Sequence, residues 1–225
     1  MALLDALKPF ANCWPVPRLR AVYYKSKHVG KGSFVAASAQ VIGWRETRIG
    51  KYTCIGDDTF ININHRGPGK IGLIIGDNCF IGKRNFFTTG KQIRIGDYCI
   101  TAPGCQFLGA YHQYDNPFTS YAMSPCAEEH TIDIGTNCFI GARATIMHHV
   151  KVGFGSVIGA GAVVSRDVPP LSLVTGIQGE IKKRFSLRSN AWVKVDEYSK
   201  DDDALLPSEE EYLEALRKKL NVSPD

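Results

Sequence analysis

The chain has 225 residues, 44% of them hydrophobic, and a net charge of +5. That apolar content excludes a disordered chain, and no apolar run approaches the roughly 20 residues of a membrane-spanning helix. The charge is uneven: residues 1–195 carry 23 basic and 12 acidic side chains, whereas residues 196–225 carry 4 and 10. A basic body implies an anionic partner, but the body lacks the interleaved aromatic and basic residues of a nucleic-acid surface, so nucleic acid is not expected.

Residues 1–28 form an N-terminal segment without repeats. Pro9, Pro15 and Pro17 restrict it to a short helix at 2–8. Asp5, Lys8 and Pro9 interrupt any signal-peptide core, and a cytoplasmic protein is expected. Leu3, Leu4, Leu7, Phe10 and Trp14 are assigned to packing against the body rather than to a membrane.

From Val29 a period of six residues takes over. Triplets of hexads start at 29, 35, 41; at 49, 55, 61; at 75, 81, 87; and at 95, 101, 107. Six more run without a break from Ile134 to Pro169. Of these 18 starts, 17 hold Val, Ile or Phe, the exception being Thr101, and ten are followed directly by Gly. A period of six suits neither an α-helix nor a long strand. It suits a short strand and a corner, so that three hexads close one triangular coil. The apolar starts then point inward and stack in columns. Glycine after each start relieves the corner, where a side chain would clash or φ would be unfavourable.

Position five of each hexad also points inward and must be small. Cys79, Cys99, Cys105 and Cys138 stand there, as do Ser33, Thr53, Ala144, Ser156 and Ala162. These cysteines read as small buried filler. Seven cysteines without a CxxC pair read as reduced thiols.

The fold expected is therefore all-β: a parallel β-helix of six coils over 29–179, interrupted at 113–133 by a 21-residue insertion. A long excursion from so regular a scaffold points to function. Residues 180–225 form a C-terminal extension. It runs from basic strand-like residues through an acidic linker, Asp201 to Asp203, to an α-helix. Ser208 and Glu211 form its capping box, and Leu213, Leu216 and Leu220 its apolar face.

Two stretches go further than the hexads. One is Thr101-Ala-Pro-Gly-Cys-Gln-Phe-Leu-Gly-Ala-Tyr-His112; the other is Val157 to Pro169, followed by Val174-Thr-Gly176 and Ile181-Lys-Lys-Arg184. Together with the hexads they resemble the hexapeptide-repeat acetyltransferases, in particular the subgroup that O-acetylates sugars and polysaccharides. The resemblance implies a left-handed coil, which general crossover preference would not have suggested. It also implies acetyl-CoA as donor, no required metal, and a homotrimer with active sites between neighbours.

By that resemblance His112 is the catalytic base. Asp115, three residues on, could orient its imidazole or bind the acceptor. Asn85 occupies an inward slot near where the family has an acceptor- or carbonyl-binding amide. Tyr111 and Tyr114 could line a saccharide pocket. Gly141, Ala142, Gly159, Ala160, Ser165 and Arg166 match positions that meet the coenzyme arm, and Lys182, Lys183 and Arg184 would attract its phosphates. The expected reaction is direct acetyl transfer to a sugar hydroxyl in polysaccharide biosynthesis. The alternatives are N-acetylation of a nucleotide-linked amino sugar and O-acetylation of an antibiotic.

The remaining histidines carry less. His148 and His149 replace a Pro-Gly corner of the family, and adjacent residues do not readily share one ion, so they read as a corner or a subunit contact. His65 reads as a core or interface residue. His130 has no sequence context, and no metal ligands are assigned.

Overall fold

The computed structural model describes residues 27–115, 118 and 120–220. The helix expected at 2–8 lies outside them. The hexads fold as short strands arranged on three faces. The first face stacks Phe34–Val35, Cys54–Ile55, Phe80–Ile81, Ile100–Thr101, Phe139–Ile140 and Val157–Ile158. The second stacks Gln40–Ile42, Phe60–Ile63, Phe86–Thr89, Gln106–Leu108, Thr145–Met147 and Val163–Val164. The third stacks Thr47–Ile49, Leu73–Ile75, Gln92–Ile95, Thr131–Ile134 and Lys151–Val152. Within each face neighbouring strands run parallel.

The hexad phase sets the register. Ile55, Ile81, Thr101, Ile140 and Ile158 stand in one column, each fully buried. Phe87 and Phe107 stack with ring centroids 4.6 Å apart. Backbone bonds link coil to coil at the same hexad position: Gly50, Gly76 and Gly96 donate at 2.8 Å to the carbonyls of Ile75, Ile95 and Ile134.

The corners show why glycine follows the apolar start. A Cβ on Gly30 would sit 2.5 Å from the carbonyl carbon of Gly50, and one on Gly135 would sit 2.6 Å from the amide nitrogen of Phe154. The reason is close approach of successive coils, and positive φ falls elsewhere. Tyr52, Asp58, Asn78, Arg84, Tyr98, Asn137, Arg143 and His149 each stand fourth in a hexad with φ between 53° and 65°. The left-handed residue therefore sits two positions past the glycine.

Close stacking leaves the corner carbonyls shut off from water, and buried carbonyls need donors. Position five supplies them. The hydroxyls of Ser33 and Thr53 donate to the carbonyls of Gly50 and Gly76 at 2.6 and 2.7 Å. The thiols of Cys79, Cys99 and Cys138 do the same for Gly96, Gly135 and Gly153 at 3.1, 3.1 and 3.3 Å. The cysteines are buried as expected, but they act as weak donors as well as filler. Burial pushes the Cys105 thiol up to about 11. The hydrogen bond between the Cys79 and Cys99 thiols, with burial, raises Cys79 further still. All six described cysteines are free thiols.

Beyond the last coil, Ser172–Thr175 extends the first face in parallel, and Glu180–Ser186 and Ala191–Lys194 add an antiparallel hairpin. The acidic stretch expected to be a linker forms a short helix, α1 (Lys200–Asp203), because Ser199 and Asp202 cap each other and Asp202 accepts from the buried Ser186 hydroxyl. Helix α2 (Glu209–Leu220) follows, with the expected capping box of Ser208 and Glu211. Its leucines are not what holds it: Leu220 is half exposed and no residue of α2 is buried. Glu209 instead accepts the Thr136 amide at 2.7 Å, Tyr212 accepts from the Asn137 side chain at 2.6 Å, and Arg217 pairs with Asp97 at 3.3 Å.

A substitution pair tests the stacking argument. Gly135→Ala forces a methyl against the next coil and should lower stability by about 1–3 kcal/mol. Gly67→Ala meets only a flexible lysine carbon at 3.8 Å and should change stability by less than about 1 kcal/mol. Urea unfolding midpoints of the two variants measure the contrast.

Candidate active site

The corner between the second and third faces is where the helix opens. After Leu108 the chain leaves the prism at His112 and returns at Thr131. The insertion folds back on its own start: Gln113 donates to the Pro125 carbonyl at 3.0 Å and Ala127 to the Tyr111 carbonyl at 2.9 Å, which pairs His112 with Cys126 across an antiparallel bridge. His65 holds the insertion from below, with one ring nitrogen 3.2 Å from the Ala127 carbonyl and the other 3.0 Å from Glu128.

His112 is exposed at this mouth. Its Nδ1 lies 2.9 Å from the Ser124 carbonyl, which can only accept, so Nδ1 carries the hydrogen and Nε2 is left with its lone pair. Nε2 faces the Cys126 sulfur at 3.8 Å. The orienting role given to Asp115 by spacing is thus filled by a backbone carbonyl from the far side of the insertion, and Asp115 is exposed. No local pattern marks Ser124 or Cys126, because the contact exists only once the insertion has folded back.

Asn85 is corrected outright as an acceptor-binding residue. It is 1% exposed and lies inside the prism, where its amide donates to the carbonyls of Gly82 and Ala102. It plays the same part as the thiols and hydroxyls of position five. Tyr111 and Tyr114 do come together, with ring centroids 5.5 Å apart, and Tyr114 is largely exposed.

The six residues matched to the coenzyme arm fall on two corners. Register sets Gly141 and Ala142 beside Gly159 and Ala160, between the first and second faces. Ser165 and Arg166 follow Val164 at the corner shared with His112, and both are exposed. The second face lies between these two corners. Of the basic residues, Lys182 and Lys183 are exposed, but Arg184 is not available to a phosphate. It is 7% exposed, pairs with Asp203 at 3.0 Å, donates to the Pro170 carbonyl at 3.2 Å and lies 4.1 Å from the Tyr198 ring.

His148 and His149, read from the sequence as a corner or a subunit contact, and His130, which had no sequence context, meet beside Tyr111. The Tyr111 ring lies 4.9 Å from that of His130 and 4.8 Å from that of His148, and the rings of His130 and His149 are 3.9 Å apart. Burial pushes His130 and His148 below the ordinary imidazole value, with the other histidines adding to the effect.

A sequence model described as the hexapeptide repeat of succinyl-transferase matches residues 72–102 and 131–166. A chloramphenicol acetyltransferase of Morganella morganii is 34% identical over 116 residues, 51% of this chain and 52% of that protein. The bifunctional protein GlmU of Anaplasma marginale is 29% identical over 146 residues, 65% of this chain and 28% of that protein. The chain spans about half the length of the curated chloramphenicol acetyltransferases it matches. The crystal structure of AntD, an N-acyltransferase from Bacillus cereus in complex with dTDP and 3-hydroxybutyryl-CoA, shares the fold with a TM-score of 0.60 at 15% identity, over 86% of this chain and 94% of that one. The architecture is a left-handed parallel β-helix built of hexapeptide repeats, and over about half its length the sequence is similar to acetyltransferases that carry such repeats.

The contrast between Arg184 and its neighbour is measurable. Arg184→Ala removes a buried guanidinium with its hydrogen bonds to Pro170 and the half-exposed Asp203, and should lower stability by about 1–3 kcal/mol. Lys183→Ala should stay within about 0.5 kcal/mol. Thermal or denaturant melts of both variants check this.

Proposed function

We propose that this chain transfers an acetyl group from acetyl-CoA to a hydroxyl of a saccharide, in the cytoplasm, as a step of polysaccharide biosynthesis. The observation that carries the reading is the imidazole of His112. It stands at the mouth of an interrupted coil, with Nδ1 occupied by the Ser124 carbonyl, so that Nε2, which faces only the weakly donating Cys126 thiol at 3.8 Å among the described residues, keeps the lone pair that can accept a proton. The acceptor hydroxyl would give its proton to Nε2 as its oxygen attacks the thioester carbonyl. The carbon–sulfur bond then breaks, the imidazolium returns its proton to the sulfur, and the coenzyme leaves as its thiol. The exposed tyrosine pair, Tyr111 and Tyr114, offers aromatic surface for a sugar ring. Asp115 would bind the acceptor at the entrance. The coenzyme would lie along the second face, between Gly141, Ala142, Gly159 and Ala160 on one side and Ser165 and Arg166 on the other, its phosphates near Lys182 and Lys183.

The Morganella relative supports a second reading, in which the acceptor is a small hydroxylated antibiotic. A panel of saccharides, amino-sugar nucleotides and chloramphenicol, read by release of free coenzyme thiol, separates the two. Under either reading His112→Ala should reduce turnover by at least a hundredfold and leave acetyl-CoA binding by calorimetry unchanged. Retained turnover would overturn the assignment of the base.

We propose further that the working form is a trimer. The outer side of the first face carries an apolar stripe of Phe34, Phe80, Ile100 and Phe139, all between 45% and 60% exposed and stacked in register. An aligned apolar stripe of this kind marks an interface. Ile100→Asp should convert a trimer to a monomer in light scattering.

A further inference from the structure

We propose that His130, His148 and His149 form a binding site for a late first-row divalent metal ion, zinc above all. The site is independent of the acyl-transfer reading. One ring nitrogen from each histidine lies within 4.8 Å of the others. Around a tetrahedral ion, imidazole nitrogens sit roughly 3.4 Å apart, given metal–nitrogen bonds of about 2.0–2.1 Å. Modest side-chain rotations close that difference. Three neutral imidazoles are the donor set that favours zinc, copper, nickel or cobalt over magnesium or calcium.

The second observation concerns hydrogen bonds. His130 is 3% exposed, and among the described residues neither of its ring nitrogens has a hydrogen-bond partner; Nδ1 of His148 is likewise buried without one. Buried polar atoms are almost always satisfied, so three orphaned nitrogens in one cluster call for a ligand. The nearest charged group, Glu129, places a carboxylate oxygen 3.7 Å from Nε2 of His130, too far for a hydrogen bond but close enough to swing in as a fourth ligand.

The backbone explains how neighbours in sequence can share an ion. In an extended strand, side chains at 148 and 149 would point to opposite faces. His149 instead takes the left-handed corner conformation, φ 65°, and the two rings end with their centroids 5.4 Å apart. The third ligand comes from the far end of the insertion. An ion held here would clamp that end to the fifth coil beside Tyr111, and so fix the base of the loop that carries Cys126 and Ser124 to His112.

The test uses the full chain, stripped with a chelator and titrated with Co²⁺ or Zn²⁺. One ion per chain is expected, with the intense visible absorption of tetrahedral Co²⁺, a higher melting temperature with Zn²⁺, and slower proteolysis of the insertion. His149→Asn keeps a residue that tolerates the left-handed corner and should bind at least tenfold more weakly, as should His130→Gln. His65→Gln, outside the cluster, should bind as the parent does. No uptake by the parent chain would overturn the proposal, as would equal uptake by His149→Asn. Should His130→Gln fail to fold, the Co²⁺ spectrum of the parent decides: a faint six-coordinate spectrum would also overturn it.

Discussion

At ten of the eighteen corners successive coils approach so closely that no side-chain atom fits between them, and much of the rest of the structure follows from this. Glycine after the apolar start admits the next coil. The approach then buries the corner carbonyls and leaves room only for a small residue at most position-five slots, and many of these residues donate to the carbonyls. Serine, threonine, cysteine and asparagine there donate to the corner carbonyls, while Ala144 and Ala162 fill the same slot without donating. The residue in fourth place absorbs the turn by adopting positive φ, at a cost that the stacking energy offsets. These three requirements at the second, fourth and fifth places, with the apolar start, make up one rule for building a coil.

The site exists where that rule is broken. The insertion interrupts the coil after the second face, and its returning strand supplies both the carbonyl that orients His112 and the thiol facing it. His112 alone would be a surface imidazole of undefined tautomer. The fold gives it a fixed one by pairing two short segments that are 14 residues apart in sequence. At the same corner, the histidine that replaces glycine or asparagine in fourth place draws three imidazoles together. His112 and the three clustered imidazoles therefore lie along one edge of the prism, the one where the insertion leaves and returns.

How much of this could be read from the residues alone depended on the range of the interaction. Coil boundaries, the columns and the inward position five are consequences of a local period, and the strands fall where the period puts them. The place of His112 at the mouth followed from the same count. What was not legible was every contact made across a break in the period. Ser124 and Cys126 meet His112 only through the folded insertion, and His130 reaches His148 the same way. Arg184 looked like part of a basic cluster because charge is visible in sequence and burial is not; its partner, Asp203, comes from a stretch that read as a linker. Asn85 was misjudged for a related reason. A polar residue in an inward slot suggested chemistry, whereas in the structure its amide donates to the buried corner carbonyls of Gly82 and Ala102.

Helix α2 has a consequence for how the solenoid comes apart. In a stack where each coil touches only its neighbours, the end coil is the first to fray. Here α2 reaches down the outside of the stack. It grips Asp97 in the fourth coil and Thr136 and Asn137 in the fifth, and sets Tyr212 against Phe154 in the sixth. Peeling away the last coil would require releasing a strap anchored two coils below, which turns a zipper that could open from its end into a unit that opens all together. The acidic tail of the sequence thus serves as the binding band of the basic body it follows.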